Sequence, residues 1–177
     1  MSHALFEGIS ITLEEVLTNR EARAALQREL LAQYKSPIIS FTINMPGSVK
    51  LNNASRLLYK LGIERLKNAL ESADIVVHDI RHVERFTGLE AFFSAATDAR
   101  ALKKIACTIE DQDAVGRLFD MDVLDVDGVP ISRSALNLPK RKCLLCARDA
   151  VICARSRQHA PAELLSKIEE IVVEAQK

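Results

Sequence analysis

The sequence predicts a single α+β domain: a mixed or antiparallel sheet packed by helices, with a cysteine-rich C-terminal segment and a terminal helix. Three observations carry this. Helical apolar spacing flanks Ile38–Ile43 (IISFTI), a run of β-branched and aromatic residues suited to a strand. Asp127-Gly128 stands between apolar neighbours in Val123–Ile131 (VLDVDGVPI), a strong hairpin signal that favours α+β over a doubly wound sheet. Pro161–Gln176 then closes the chain as a helix with Leu164, Leu165, Ile168, Ile171 and Val172 as its apolar stripe. The chain has 177 residues, 48% of them hydrophobic and 27% charged, enough for one sizeable core. One domain spanning 1–177 is expected, with 143–159 as a candidate zinc-binding subregion.

The elements follow in order. Thr12 caps a helix with Glu14 and Glu15 in its first turn and Leu13, Val16, Leu17, Ala24, Leu26, Leu30 and Leu31 at helical spacing; a break is expected near Asn19. Ser36-Pro37 stops it before the Ile38–Ile43 strand. Met45-Pro46-Gly47-Ser48 is a turn, with Lys50 just beyond. A second helix runs from Asn53 or Ser55 to Ser72 on Leu57, Leu58, Leu61, Leu66 and Leu70. Ile75–His78 reads as a strand, Thr87-Gly88 as an interruption, Glu90–Ala96 as strand or short helix, and Ala99–Lys104 as helix. Ala106–Glu110 (ACTIE) reads as a strand leading to Gly116–Val123 (GRLFDMDV), and Asn137–Lys142 as an irregular basic approach to the cysteines.

GRLFDMDV sets two carboxylates among residues that a strand buries. Buried ionised and unpaired, each would cost several kcal/mol. Alternation along a strand puts Asp120 and Asp122 on one face, roughly 7 Å apart. Either that face is solvated or the pair holds a cation, and Mg²⁺ suits it, because this ion takes a few carboxylates and completes its shell with water and phosphate oxygens. A bare DxD does not decide between the two. Gly116 offers close backbone approach to a ligand and Arg117 a planar fork for phosphate oxygens. Glu110, at the end of the preceding segment, is the candidate third carboxylate. Asp125 and Asp127 repeat the spacing, but a hairpin turn explains them.

The second constellation is Cys143, Cys146, Cys153 and His159, spaced C-x2-C-x6-C-x5-H. Four such ligands close a tetrahedral structural zinc site with no open position; the competing reading is three small buried cysteines and an unrelated histidine. A redox role fits less well, since no thioredoxin-like context surrounds the CxxC. Lys plus Arg and Asp plus Glu both number 24, so no basic footprint for nucleic acid exists. Neither a signal peptide nor a membrane-length apolar run is evident, which predicts a cytoplasmic protein without a membrane partner. For a phosphorylated ligand the cations singled out are Arg117, with Lys50, Arg20 and Arg23 behind it. His78 and His82 have no spacing that ties them to the acidic pair, and no Ser/His/Asp or P-loop pattern occurs.

GRLFDMDV, followed by RKCLLCARDAVICARSRQH at Arg141–His159, resembles the holo-citrate lyase synthases, the apo-citrate lyase phosphoribosyl-dephospho-CoA transferases. ITLEEVLTNREARAALQ at Ile11–Gln27 and SFTINMPGSVK at Ser40–Lys50 are similar to the family's N-terminal motifs, so the resemblance spans nearly the whole chain. It implies transfer of phosphoribosyl-dephospho-CoA from triphosphoribosyl-dephospho-CoA to a serine of the apo acyl carrier protein (gamma) subunit of citrate lyase, with release of pyrophosphate. It also implies nucleotidyltransferase-type chemistry on a nucleotidyltransferase-like fold. Gly116, Arg117, Asp120 and Asp122 match the family's GRLxDxDV core, which makes Arg117, Asp120 and Asp122 the catalytic candidates. Pro46, Gly47 and Lys50 match its PGxxK loop, with Ser48 where the family often carries a second proline; these residues, with Gly116, Arg20 and Arg23, are the substrate-binding candidates. Cys143, Cys146, Cys153 and His159 match its C-terminal pattern. Two alternatives stand beside this reading: the equivalent transferase of malonate decarboxylase, and a zinc-stabilised carrier-protein binding module without catalysis.

Overall fold

The computed structural model describes residues 3–177. Its helices are α1 (His3–Phe6), α2 (Leu13–Tyr34), α3 (Asn53–Ser72), α4 (Ala99–Asp111), α5 (Ala150–Ser156) and α6 (Pro161–Ala175). Its strands are β1 (Ile38–Ile43), β2 (Val77–Arg85), β3 (Gly88–Ala95) and β4 (Phe119–Leu124). The strands form one antiparallel sheet in the order β2-β3-β1-β4, so β1 lies between β3 and β4, and β4 is an edge. This is the expected single α+β domain with an antiparallel sheet and helices.

Alternation along the strands divides the apolar residues between two faces. Ile39, Phe41, Ala91, Phe93, Phe119, Met121 and Val123 point into the main core against α3, α4 and α6. The opposite face buries Ile38 and Phe92 under Leu30 and Leu31 of α2. Phe41 anchors the main core: Tyr59 stacks on it at 5.6 Å and Phe119 meets it edge-on at 5.4 Å. Gly62 of α3 makes room for that ring, because a Cβ there would stand 2.2 Å from Phe41 Cζ. Gly62→Ala should therefore destabilise the fold by about 1–3 kcal/mol despite alanine's better helix propensity. Thermal unfolding should show a Tm lower by about 3–10 °C; an unchanged Tm would mean that the ring is free to move aside.

Several expectations held and several did not. Thr12 and Glu15 form the capping box of α2, with Glu15 N–H donating to Thr12 Oγ1 at 3.2 Å. The helix does not break near Asn19. That side chain is buried and donates to Glu90 Oε1 at 2.6 Å, so it does not compete with the helix backbone. Asn52 and Ser55 cap α3 in the same reciprocal way. The expected Ile75–His78 strand begins at Val77 and runs to Arg85, its later residues concealed by the mixed polarity of a solvated edge. Glu90–Ala96 is strand, within Gly88–Ala95.

Ala106–Glu110 is not a strand but the last turns of α4. Leu102, Ala106 and Ile109 are all buried at helical spacing, and this periodicity outweighs the β-type composition of ACTIE. At Asp127-Gly128 the turn is present, with Gly128 at φ 80° and Asp125 N–H bonded to Val129 O at 3.0 Å. Among the described residues the returning arm makes a single bridge, Leu124 to Pro130, flanked by that bond and by Ile131 N–H to Val123 O at 2.8 Å. Helix α6 lies where expected, burying Ile168, Ile171 and Val172. Among the described residues, no helix is long and apolar enough to cross a membrane.

Candidate functional site

On the face of the sheet opposite the main core, register sets polar residues side by side. Thr42 of β1 pairs with Glu90 of β3 and Asp120 of β4, and Ser40 pairs with Asp122. Asp120 and Asp122 thus share a face, as the alternation predicted, while Phe119, Met121 and Val123 are buried behind them. Helix α2 covers the end of this face near Phe92 and leaves the Thr42 row beneath a cavity of about 210 Å³. Arg20, Arg23, Lys50, Asn44, Glu90 and Asp120 line it.

Glu90, unremarked in the sequence, organises one wall. Its Oε1 accepts from Asn19 Nδ2 at 2.6 Å and from Arg23 Nε at 3.0 Å, with Arg23 Nη2 also in contact. Asn19 and Arg23 are one turn apart on α2, so this carboxylate ties the helix to the sheet. Its Oε2 is buried and has no hydrogen-bond partner. Arg20 lines the cavity with no described hydrogen bond or ion pair. Lys50 donates to the Met45 carbonyl, and burial pulls its ammonium below the ordinary lysine range. The Asp120 side chain is 49% exposed, and its one described hydrogen bond, from Arg141 Nη1, is long at 3.4 Å. Burial first and the Asp122 charge second push the Asp120 carboxyl above the usual range, against the pull of Arg141. The two adjacent carboxylates are both open to solvent on this face, where a cation could reach them.

The structure does not bring all the predicted residues to this cavity. Glu110 lies at the end of α4, not of a strand. Its Oε1 accepts from Met121 N–H at 2.8 Å and its Oε2 pairs with Arg133 Nη2 at 2.6 Å, while Lys103 Nζ donates to Met121 O at 2.9 Å. Helix α4 thereby satisfies both outward backbone groups of Met121 on the edge of β4, a structural use for this buried carboxylate. Glu110 approaches the acidic pair only through Arg141, whose Nη1 is 3.7 Å from Glu110 Oε1. Gly116 starts a 3₁₀ turn, Gly116–Leu118, and a Cβ there would stand 2.2 Å from Ile109 O. The close approach it permits is to helix α4 rather than to a ligand. Arg141, undistinguished among the basic residues, donates through Nη2 to Arg117 O at 2.8 Å and Phe119 O at 2.7 Å, clamping the start of β4.

Arg117 lines a second cavity, of about 430 Å³, together with Pro46, Arg141 and Arg157. The Pro46-Gly47 turn and Lys50 therefore separate: Pro46 belongs to this second cavity and Lys50 to the first. Gly47 has φ 80° and open space about its α-carbon, so glycine serves backbone conformation there. His78 and His82 are held by aromatic neighbours. His78 stacks on Tyr34 and His82 Nδ1 lies 2.7 Å from Tyr59 Oη.

The ligating atoms of Cys143, Cys146, Cys153 and His159 lie within 4.8 Å of one another. Cys143 and Cys146 come from a tight loop in which Cys143 N–H bonds to Arg148 O at 2.7 Å, and α5 supplies Cys153. Burial raises the Cys143 thiol, but the Leu145 and Cys146 N–H groups and the other thiols outweigh this and bring it down to about 7. Burial and the Cys146 and Cys143 thiols push Cys153 up to about 11. His159 Nε2 is buried with no hydrogen-bond partner. Four donors at metal distances of about 2.0–2.3 Å would stand about 3.3–3.8 Å apart in a tetrahedron. The Cys146–Cys153 sulfur separation of 3.5 Å falls in that range. This Cys3His group can hold a metal ion.

Comparison with known proteins gives a consistent result. The family model described as "Apo-citrate lyase phosphoribosyl-dephospho-CoA transferase" matches residues 11–175. A "Probable apo-citrate lyase phosphoribosyl-dephospho-CoA transferase" of Vibrio cholerae serotype O1 is 44% identical over 172 residues, covering 97% of this chain and 96% of the relative. The apo-citrate lyase phosphoribosyl-dephospho-CoA transferase of Citrobacter koseri is 33% identical over 166 residues, covering 94% and 91%. That of Escherichia coli O157:H7 is 31% identical over 163 residues, covering 92% and 89%.

Proposed function

Because the chain belongs to the apo-citrate lyase phosphoribosyl-dephospho-CoA transferase family, we propose that the polar cavity beside Asp120 is where its transfer takes place. The enzyme transfers the prosthetic group to the acyl carrier protein of citrate lyase. The donor is triphosphoribosyl-dephospho-CoA and the acceptor a serine hydroxyl of the carrier protein. One juxtaposition carries the assignment: Asp120 faces a cavity that also holds the cations Arg20, Arg23 and Lys50, with Asp122 beside it on the same strand.

The serine Oγ attacks the α-phosphorus of the triphosphate, forming the new P–O bond of the phosphodiester. The bond from that phosphorus to the bridging oxygen breaks, pyrophosphate leaves with the bonding pair, and the serine proton passes to solvent water. Asp120 and Asp122, both open to solvent on one side, would hold Mg²⁺; bound there, it supplies charge neutralisation for the triphosphate and favours in-line displacement. Arg20, with no protein partner described, is free to pair with phosphate oxygens, and partly desolvated Lys50 gains from doing the same. Glu90 holds Arg23 and Asn19 so that α2 presents Arg20 over the same cavity. A carboxylate pair on an antiparallel sheet beside phosphate-binding cations suits nucleotidyltransferase-type chemistry. The Cys3His group, with its buried unpartnered imidazole nitrogen and three thiols, fits structural zinc, which would hold the 143–159 segment in place.

Incubation with apo acyl carrier protein, triphosphoribosyl-dephospho-CoA and Mg²⁺ should raise the carrier's mass by one phosphoribosyl-dephospho-CoA group and release one pyrophosphate. An unchanged carrier mass with folded enzyme would overturn the assignment.

A further inference from the structure

The second cavity is chemically unlike the first. It lies between the Gly116–Leu118 turn, residues 141–144, α5 and the start of α6. Leu118, Leu144, Ala154, Leu164 and Ile168 give it apolar walls, and besides Arg141, which is engaged with the β4 backbone, two further arginines line it: Arg117 beside β4 and Arg157 just after α5. Neither guanidinium has a described hydrogen bond or ion pair. Arg117 is partly buried, and burial together with the Arg141 charge pulls its guanidinium below the usual arginine range. Two unpaired cations at an apolar cavity call for a ligand with an apolar ring and anionic groups. At about 430 Å³ the volume is within the range of small-molecule and cofactor sites.

The two cavities also adjoin. Asn44 lines both, and Arg141, which lines the second, reaches Asp120 of the first. A single ligand with a polyphosphate at one end and an apolar nucleoside at the other can therefore occupy both. Resting on the functional reading above, we propose that the second cavity binds the dephospho-CoA part of the donor, with the adenine between the apolar walls and the diphosphate between Arg117 and Arg157. The Cys3His segment thereby acquires a role beyond stability, since Cys143, Cys153 and His159 themselves line this cavity together with Arg157. Substrate selection and the Cys3His group meet in one wall.

Calorimetric titration of the intact protein with dephospho-CoA, without Mg²⁺, tests this. Dephospho-CoA should bind the wild-type chain, and Arg157→Ala should weaken binding about tenfold through loss of one charge-assisted contact. The same variant should raise KM for the triphosphate precursor by a similar factor with kcat within about twofold, a split that a general loss of structure would not produce. Ala154→Phe, which fills the cavity, should abolish dephospho-CoA binding while thermal unfolding stays cooperative. Asp120→Asn should bind dephospho-CoA as the wild type does. If Asp120→Asn retained transfer, the assignment of the reaction centre would fail, yet the binding data would still decide on this cavity. Absence of dephospho-CoA binding, or affinity unchanged in both Arg157→Ala and Ala154→Phe, would overturn the proposal.

Discussion

Asp120→Asn should lower the rate of prosthetic-group transfer by about a thousandfold, with the fold intact, and Asp122→Asn should do nearly the same. Losses of this size follow when charge stabilisation of a phosphoryl transition state is removed. Asn keeps the shape of each side chain, and both residues lie on the face away from the main core, so thermal unfolding should change little. The pH profile separates this role from a passive one. The Asp120 carboxyl is pushed above the usual carboxylate range, by burial and then by Asp122. Mg²⁺ binding needs the ionised form, so at limiting Mg²⁺ activity should fall as pH drops through that raised value, at a higher pH than an ordinary aspartate near 4 would give, and saturating Mg²⁺ should move the fall to lower pH. In Asp122→Asn the like charge is gone, so the acid limb of the residual activity should move to lower pH. Full activity in either variant at saturating Mg²⁺ would remove the carboxylate pair from the mechanism.

Cys153→Ser should cost the protein about one equivalent of bound zinc and loosen residues 143–159, with a fall in Tm of about 10 °C or selective proteolysis in that segment. The size of the effect reflects how little else holds the segment. Besides Cys143 N–H to Arg148 O, its local ties include Ala150 N–H to Arg141 O at 2.8 Å and the Lys142–Asp149 ion pair at 2.8 Å, both near the surface. A metal would link Cys143 and Cys146 of the loop to Cys153 of α5 and His159 before α6, tying three pieces of chain at one point. Elemental analysis and native mass spectrometry of wild type and variant give the readout. Wild-type protein without metal, whose thiols all titrate freely, would show that the cysteines serve packing alone.

How much of this was legible in the sequence depends on the range of the interactions involved. The Thr12–Glu15 box, the Ile38–Ile43 strand, the α3 stripe and α6 are local patterns, and the alternation of GRLFDMDV placed Asp120 and Asp122 on one face. The Cys3His spacing likewise pointed to a cluster that the structure assembles. Asn19 shows the limit. A break was expected near it, but Glu90, 71 positions away, satisfies its side chain and the helix continues.

The same limit governs the site. Glu110, Gly116 and Arg117 are adjacent in sequence to the acidic pair, and adjacency suggested a shared role. In the folded chain Glu110 covers the β4 edge, Gly116 packs on α4, and Arg117 lines a different cavity. Arg141, distant in sequence, reaches Asp120, and Glu90 lines the same cavity across Thr42 of β1. By itself the sequence determined α3, α6 and the capped start of α2, the strand alternation at the acidic pair, the paired aspartates and the ligand spacing, since each is written in residues a few positions apart. Only the tertiary structure decided which charges share a cavity, because strand register and the packing of α2 and α4 set those neighbours, and neither leaves a local pattern in the chain.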